Sequence, residues 1–61
     1  MTEKQKAKVA ALVERFNAES HHVSTGGMLN GLPSGWVLLE LYREGRQPYV
    51  LGISPEGDSH S

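Results

Sequence analysis

Residues 36–53 carry apolar side chains at most positions of two predicted strands. Successive side chains in a strand point to opposite faces, so these strands form a β-hairpin with apolar surface on both faces. One helix covers only one of these faces, and the rest of the chain offers a single well-formed helix. The surplus apolar surface therefore predicts contact with a partner protein or with a second copy of the chain.

The chain has 61 residues and no cysteine. A domain of this size buries only about 60% of the surface of its unfolded chain, and it commonly needs a disulfide, a metal or an oligomer contact for stability. Without cysteine, disulfides and thiolate zinc sites are excluded. We therefore expect a homo-oligomer.

The charge balance disfavours nucleic acid and anionic membranes as partners. Lys and Arg number 6 against 7 for Asp and Glu, which gives a net charge of -1. No stretch approaches the roughly 20 apolar residues of a membrane span, and the Lys-rich N-terminus is not a secretory signal. We expect a cytoplasmic protein, and the helix cap directly after Met1 leads us to expect a natural start.

An amphipathic helix is predicted over about residues 3–19. Thr2 and Gln5 form a capping-box pattern, in which each side chain accepts the backbone amide of the other residue. The range contains no Gly or Pro, and one apolar stripe recurs at i, i+3, i+4 and i+7, formed by Val9, Leu12, Val13 and Phe16. This stripe should pack on one face of a sheet.

Residues 20–35 hold four of the seven glycines and are predicted to form a Gly-rich loop. Residues 22–25 have enough β-branched content for a short strand inside this segment. Three apolar side chains follow, Met28, Leu29 and Leu32. They either fold over the core, which we favour because a small core needs them, or present a contact surface.

The turn of the hairpin sets its predicted register. Residues 43–45 fit a three-residue loop that ends with Gly45 in the left-handed region. This loop places Arg46 opposite Tyr42, and it pairs Leu41 with Gln47, Leu39 with Tyr49 and Val37 with Leu51. That face, with Ile53, should meet the helix, and Pro48 marks an edge or an outward-facing amide.

The opposite face of the hairpin is the candidate contact surface. It is mixed in character and holds the residues that we predict to bind a partner, which are Trp36, Leu38, Glu40, Tyr42, Arg46 and Val50. Glu40 is expected to pair with Arg46 or to reach solvent.

A second turn at residues 55–57 precedes a C-terminal tail over 54–61, in which a short strand is expected near 58–60. The predicted fold class is therefore α+β, with one N-terminal amphipathic helix packed on a two- or three-stranded antiparallel sheet. The whole chain, 1–61, forms a single domain.

No catalytic motif is present. Seven Ser and Thr residues of the predicted loops lack a nucleophile-elbow context, so we predict no enzymatic activity and no cofactor. The chain has three histidines, His21, His22 and His60, a residue type that commonly ligates metal ions. Adjacent residues of an extended chain face opposite ways, so His21 and His22 do not share an ion, and no metal site is predicted.

Three function classes follow in order of preference. The first is a protein-binding module, such as a bacterial or phage accessory or inhibitor protein, that binds itself and another protein. The second is a binder of an anion or nucleotide between subunits, through the amides of Ser24, Thr25, Gly26 and Gly27. The third is a weak nucleic-acid binder that uses Tyr42, Arg43 and Arg46 of the hairpin, which the charge balance disfavours.

Overall fold

The computed structural model describes residues 1–27 and 31–61. Helix α1 (Glu3–Arg15) packs on one face of a four-stranded antiparallel sheet, which confirms the predicted α+β class with one strand more than expected. The strands lie side by side in chain order, as a meander of β1 (Ser20–Gly27), β2 (Leu32–Tyr42), β3 (Tyr49–Ile53) and β4 (Ser59–His60).

The helix begins as predicted. The Thr2 hydroxyl accepts the Gln5 amide at 3.1 Å, and the Gln5 side-chain oxygen accepts the Thr2 amide at 2.8 Å. Gln5 is buried, although its polarity suggests a surface position, because its Nε2 donates to the carbonyls of Gly35 and Ile53. The capping residue therefore also fastens the helix to the sheet.

The helix ends at Arg15, four residues before the predicted end. Asn17 adopts the left-handed conformation with φ 53°, and the amide of Ala18 donates to the carbonyl of Val13 while the amide of Asn17 donates to that of Glu14. These two bonds form a Schellman motif, which stops a helix by satisfying its last carbonyls.

The prediction of a loop over 20–35 was wrong. Most of this segment forms β1 and the start of β2, which pair antiparallel with Ser24 opposite Leu38 and a bulge between Thr25 and Gly27. The expected short strand near 22–25 is the middle of β1. The predicted burial of Met28 and Leu29 concerns residues outside the described ranges.

The predicted hairpin loop was too short. In the structure Leu41 pairs with Tyr49, Leu39 with Leu51 and Val37 with Ile53, and the loop covers residues 43–48. Gly45 has φ 74°, as the turn chemistry predicted. The shift is two residues, and an even shift returns each side chain to the same face. The predicted division of the hairpin into two faces therefore holds.

The core lies between α1 and the sheet. Leu39 and Ile53 are fully buried, and the remaining buried apolar residues are Val9, Leu12, Val37, Leu41 and Leu51. The second turn also forms as predicted, because Gly57 has φ 90° and its amide donates to Ser54 O before β4 begins.

Candidate functional site

The sheet has one face that α1 does not cover. The register places three rows of side chains on it, with Ser24, Leu38 and Gly52 in one row, His22, Glu40 and Val50 in the next, and Ser20 beside Tyr42 in the last. Together with Leu32, Trp36 and His60, these residues form what we call the open face. Val50 is 44% exposed, and Leu38, Glu40 and Tyr42 are partly exposed.

The centre of the open face is apolar because Gly52 leaves room above β3. A Cβ atom at Gly52 would lie 3.4 Å from both Leu32 Cδ2 and Trp36 Cε3, so these two side chains lie over the strand. The Trp36 ring also contacts the His60 ring, with centroids 5.1 Å apart. Trp36 therefore belongs to this face as predicted, but it lies against its neighbours and is only partly exposed.

The far end of the open face is polar. Glu40 and Tyr42 lie two residues apart on the same face of β2. Partial desolvation raises the pKa of Tyr42 above its ordinary value of 10.0, and the hydrogen bond to Glu40 and the charge of Glu40 add to this effect. Arg46 lies in the 43–48 loop and not opposite Tyr42, because that loop is longer than predicted. Of the two outcomes expected for Glu40, the ion pair with Arg46 is not formed among the described residues, and the side chain is partly exposed to solvent beside Tyr42.

The four residues predicted to bind an anion lie in β1 and not in a loop. Ser24 pairs with Leu38 and Thr25 with Val37, while Gly27 pairs with Leu32 beyond the bulge. In a strand, successive amides point to opposite edges, so they do not converge on one ligand. Gly26 is required for another reason, since a Cβ atom there would lie 2.3 Å from the Pro33 carbonyl oxygen.

Sequence reasoning missed the contribution of β1 and β4 to the open face. Ser20, His22 and Ser24 border it on one side, and His60 borders it on the other. Short strands were expected near 22–25 and 58–60, but β1 has too few apolar residues to indicate its full length or its place beside β2. His21 and His22 lie on opposite faces of β1, as expected of neighbouring strand residues.

Residues 1–27 and 31–61 contain no group of three side chains that could hold a metal ion. The same residues contain no helix long and apolar enough to cross a bilayer. No protein-family model, curated protein or solved structure matches this chain.

Proposed function

We propose that this protein is a non-enzymatic protein-binding module whose open face is the binding surface. The observation that carries the proposal is the arrangement of that face, in which Leu38 and Val50 remain accessible beside the Trp36 ring. Polar side chains surround them, among them His22, Ser24 and Tyr42. An apolar centre with a polar rim and aromatic residues is the usual composition of a protein interface.

The first partner that we propose is a second copy of the chain. A two-fold axis that lies in the plane between two open faces brings each apolar centre onto its own copy, and two sheets then pack about 10 Å apart with the helices outside. The face carries no Lys or Arg within the described strands, so two copies face each other without cationic repulsion.

The size of the face limits the strength of this dimer. An outline four strands wide, at about 4.8 Å per strand, and as long as the five residues of β3, at about 3.3 Å per residue, has an area of roughly 300 Å². The accessible area is larger than this flat outline because side chains make the surface uneven. Even twice the outline stays below the about 800 Å² that each partner buries in a stable complex. We therefore propose a weak, concentration-dependent dimer, which leaves the face available to a different protein.

The biological setting in the proposal is that of a cytoplasmic accessory or inhibitor protein of a bacterium or phage. The lack of cysteine supports a cytoplasmic setting. The strands of the open face contain no Lys or Arg, and the two arginines of the hairpin, Arg43 and Arg46, lie in the 43–48 loop. This arrangement weighs against the alternative of nucleic-acid binding across the hairpin, since a backbone-tracking surface needs several Lys or Arg side chains.

The test is the molar mass in solution, measured by light scattering from about 10 μM to about 1 mM, a range that detects weak association. Val50→Glu places a charge on the open face, and Ala10→Glu places the same charge on the exposed side of α1 as a matched control. We expect the mass of the wild type and of Ala10→Glu to rise with concentration, and that of folded Val50→Glu to remain monomeric.

If the wild type stays monomeric over this range, self-association is wrong. If Val50→Glu keeps its amide spectrum and associates like the wild type, the open face is not the surface that mediates it.

A further inference from the structure

A groove lies on the helix side of the sheet, beside the end of α1 and away from the open face. It has a volume of about 470 Å³. Leu12 and Leu51 form its floor, and Ser59 of β4 lines it from the sheet edge. The rings of Phe16 and Tyr49 stack with centroids 5.0 Å apart and form one wall. Its volume falls within the range of small-molecule sites, about 300–1,000 Å³.

Two guanidinium groups line the same groove, those of Arg15 and Arg43. The Cζ atom of Arg43 lies 5.7 Å from the centroid of the Phe16 ring, within reach of a cation–π interaction. This contact restrains the Arg43 side chain, so less rotamer entropy is lost when it binds a ligand.

The chain has 7 acidic residues, and all of them lie in the described ranges 1–27 and 31–61. Within these ranges, neither guanidinium has a carboxylate partner. Within residues 1–27 and 31–61, the one ion pair joins Lys6 to Glu3 near the other end of α1. Glu19, the acidic side chain closest in sequence to the end of the helix, accepts the backbone amide of Glu44 at 2.5 Å instead. The groove thus combines two cations without counter-charge and an apolar floor.

We propose that this groove binds a small ligand that joins a carboxylate or a phosphate group to an apolar body about the size of one aromatic ring. The anionic group lies between Arg15 and Arg43, and guanidinium groups hold such oxygens in paired hydrogen bonds. The apolar body lies on Leu12 and Leu51 beside the Tyr49 ring. Because the groove and the open face lie on opposite sides of the sheet, this proposal is independent of the proposed protein-binding function.

The test is an NMR titration with phenyl phosphate that follows the backbone amides and the arginine Nε–H groups. Inorganic phosphate and phenol each supply one half of the probe, and benzoate replaces the phosphate by a carboxylate. We expect phenyl phosphate to bind about tenfold more tightly than inorganic phosphate, because the apolar floor adds to the charge-assisted hydrogen bonds. The shifts should be largest at Arg15, Arg43, Tyr49 and Ser59.

Two variants separate the groove from the rest of the surface. Arg15→Gln should lower the affinity for phenyl phosphate about fivefold or more, because it removes a charge-assisted hydrogen bond, and Arg43→Gln should lower it similarly. Arg46→Gln is the matched control, since Arg46 lies in the 43–48 loop and does not line the groove. Arg15 makes no other described contact, so its variant should retain the fold even if Arg43→Gln loses it.

The proposal is overturned if inorganic phosphate binds as tightly as phenyl phosphate with shifts that follow the lysines of α1, or if Arg15→Gln binds like the wild type. Binding of benzoate or phenyl phosphate at the groove, more tightly than inorganic phosphate, supports the proposal, and the order of the two probes gives the anion that the groove prefers.

Discussion

Gln5 Nε2 donates a hydrogen bond of 2.8 Å to the carbonyl of Gly35, thirty residues further along the chain. The same side chain closes the capping box with Thr2 through its oxygen. Both polar atoms of this buried side-chain amide are therefore used. The oxygen caps the start of the helix, and the nitrogen holds the helix against β2.

Replacing Gln5 by alanine should therefore cost more stability than the loss of a surface cap. Gln5→Ala removes the capping bond to Thr2 together with the hydrogen bonds to the Gly35 and Ile53 carbonyls, of which the one to Ile53 is buried, and we expect the free energy of unfolding to fall by about 2–3 kcal/mol. Thr2→Ala is the comparison, since it removes the cap hydroxyl together with its exposed hydrogen bond to the Pro55 carbonyl, and it should cost about 1 kcal/mol. Urea denaturation of both variants measures the difference. Equal losses would show that the contact with Gly35 adds nothing.

Asn17 offers a test of how the helix ends. Its φ of 53° is in the left-handed region, which glycine adopts without strain and alanine does not. We expect Asn17→Ala to lower the free energy of unfolding by about 1 kcal/mol, and Asn17→Gly to leave it unchanged or raise it slightly. Thermal unfolding followed by circular dichroism measures both. A more stable Asn17→Ala would show that the Schellman motif does not set the end of the helix.

The features that the sequence predicts well are those fixed by local patterns. The capping box, the Val9 to Phe16 stripe and the turn glycines at 45 and 57 depend on residues close together in the chain. The alternation of apolar residues in β2 and β3 also gives the two faces correctly, since a register error of two residues leaves each side chain on its own face.

The features that the sequence does not predict depend on distant residues. β1 contains mostly polar and small residues, and its strand conformation comes from pairing with β2 along its whole length. The groove was missed because Tyr49 was assigned to the core opposite Leu39 and Arg43 to a short turn. Their positions beside Phe16 depend on the true length of the 43–48 loop.

Gly26 should tolerate no side chain, while its neighbour Gly27 should. A Cβ atom at Gly26 would lie 2.3 Å from the carbonyl oxygen of Pro33 and 2.9 Å from that of Trp36, whereas one at Gly27 meets nothing within 4 Å. We expect Gly26→Ala to lower the free energy of unfolding by more than about 2 kcal/mol or to prevent folding, through backbone displacement in β1 and β2. Gly27→Ala should change it by less than about 1 kcal/mol.

Chemical denaturation of these two variants also addresses the role of the glycine pair. Similar, small effects at both positions would contradict close backbone packing as the reason for Gly26. They would favour instead the predicted role of this segment in binding an anion.

Tyr42 should make the stability of the protein fall at alkaline pH. Its pKa is raised in the folded state, by partial desolvation and then by Glu40, so the folded chain holds its hydroxyl proton more tightly than the unfolded chain does. The resulting stabilisation is complete below the unfolded pKa of about 10, and it is lost as the pH rises through the folded pKa.

The tyrosinate absorbance of Tyr49→Phe, which leaves Tyr42 as the one tyrosine of the chain, reports this titration directly. Adding Glu40→Gln to this variant should move the titration midpoint of Tyr42 back toward about 10. The charge of Glu40 and its hydrogen bond both favour the protonated phenol, and the substitution removes the first and weakens the second. The wild type should also lose stability above about pH 10 more steeply than Tyr42→Phe in denaturation experiments at a series of pH values. An unchanged midpoint in the Glu40→Gln variant would mean that desolvation alone raises the pKa and that the Glu40–Tyr42 contact is not formed in solution.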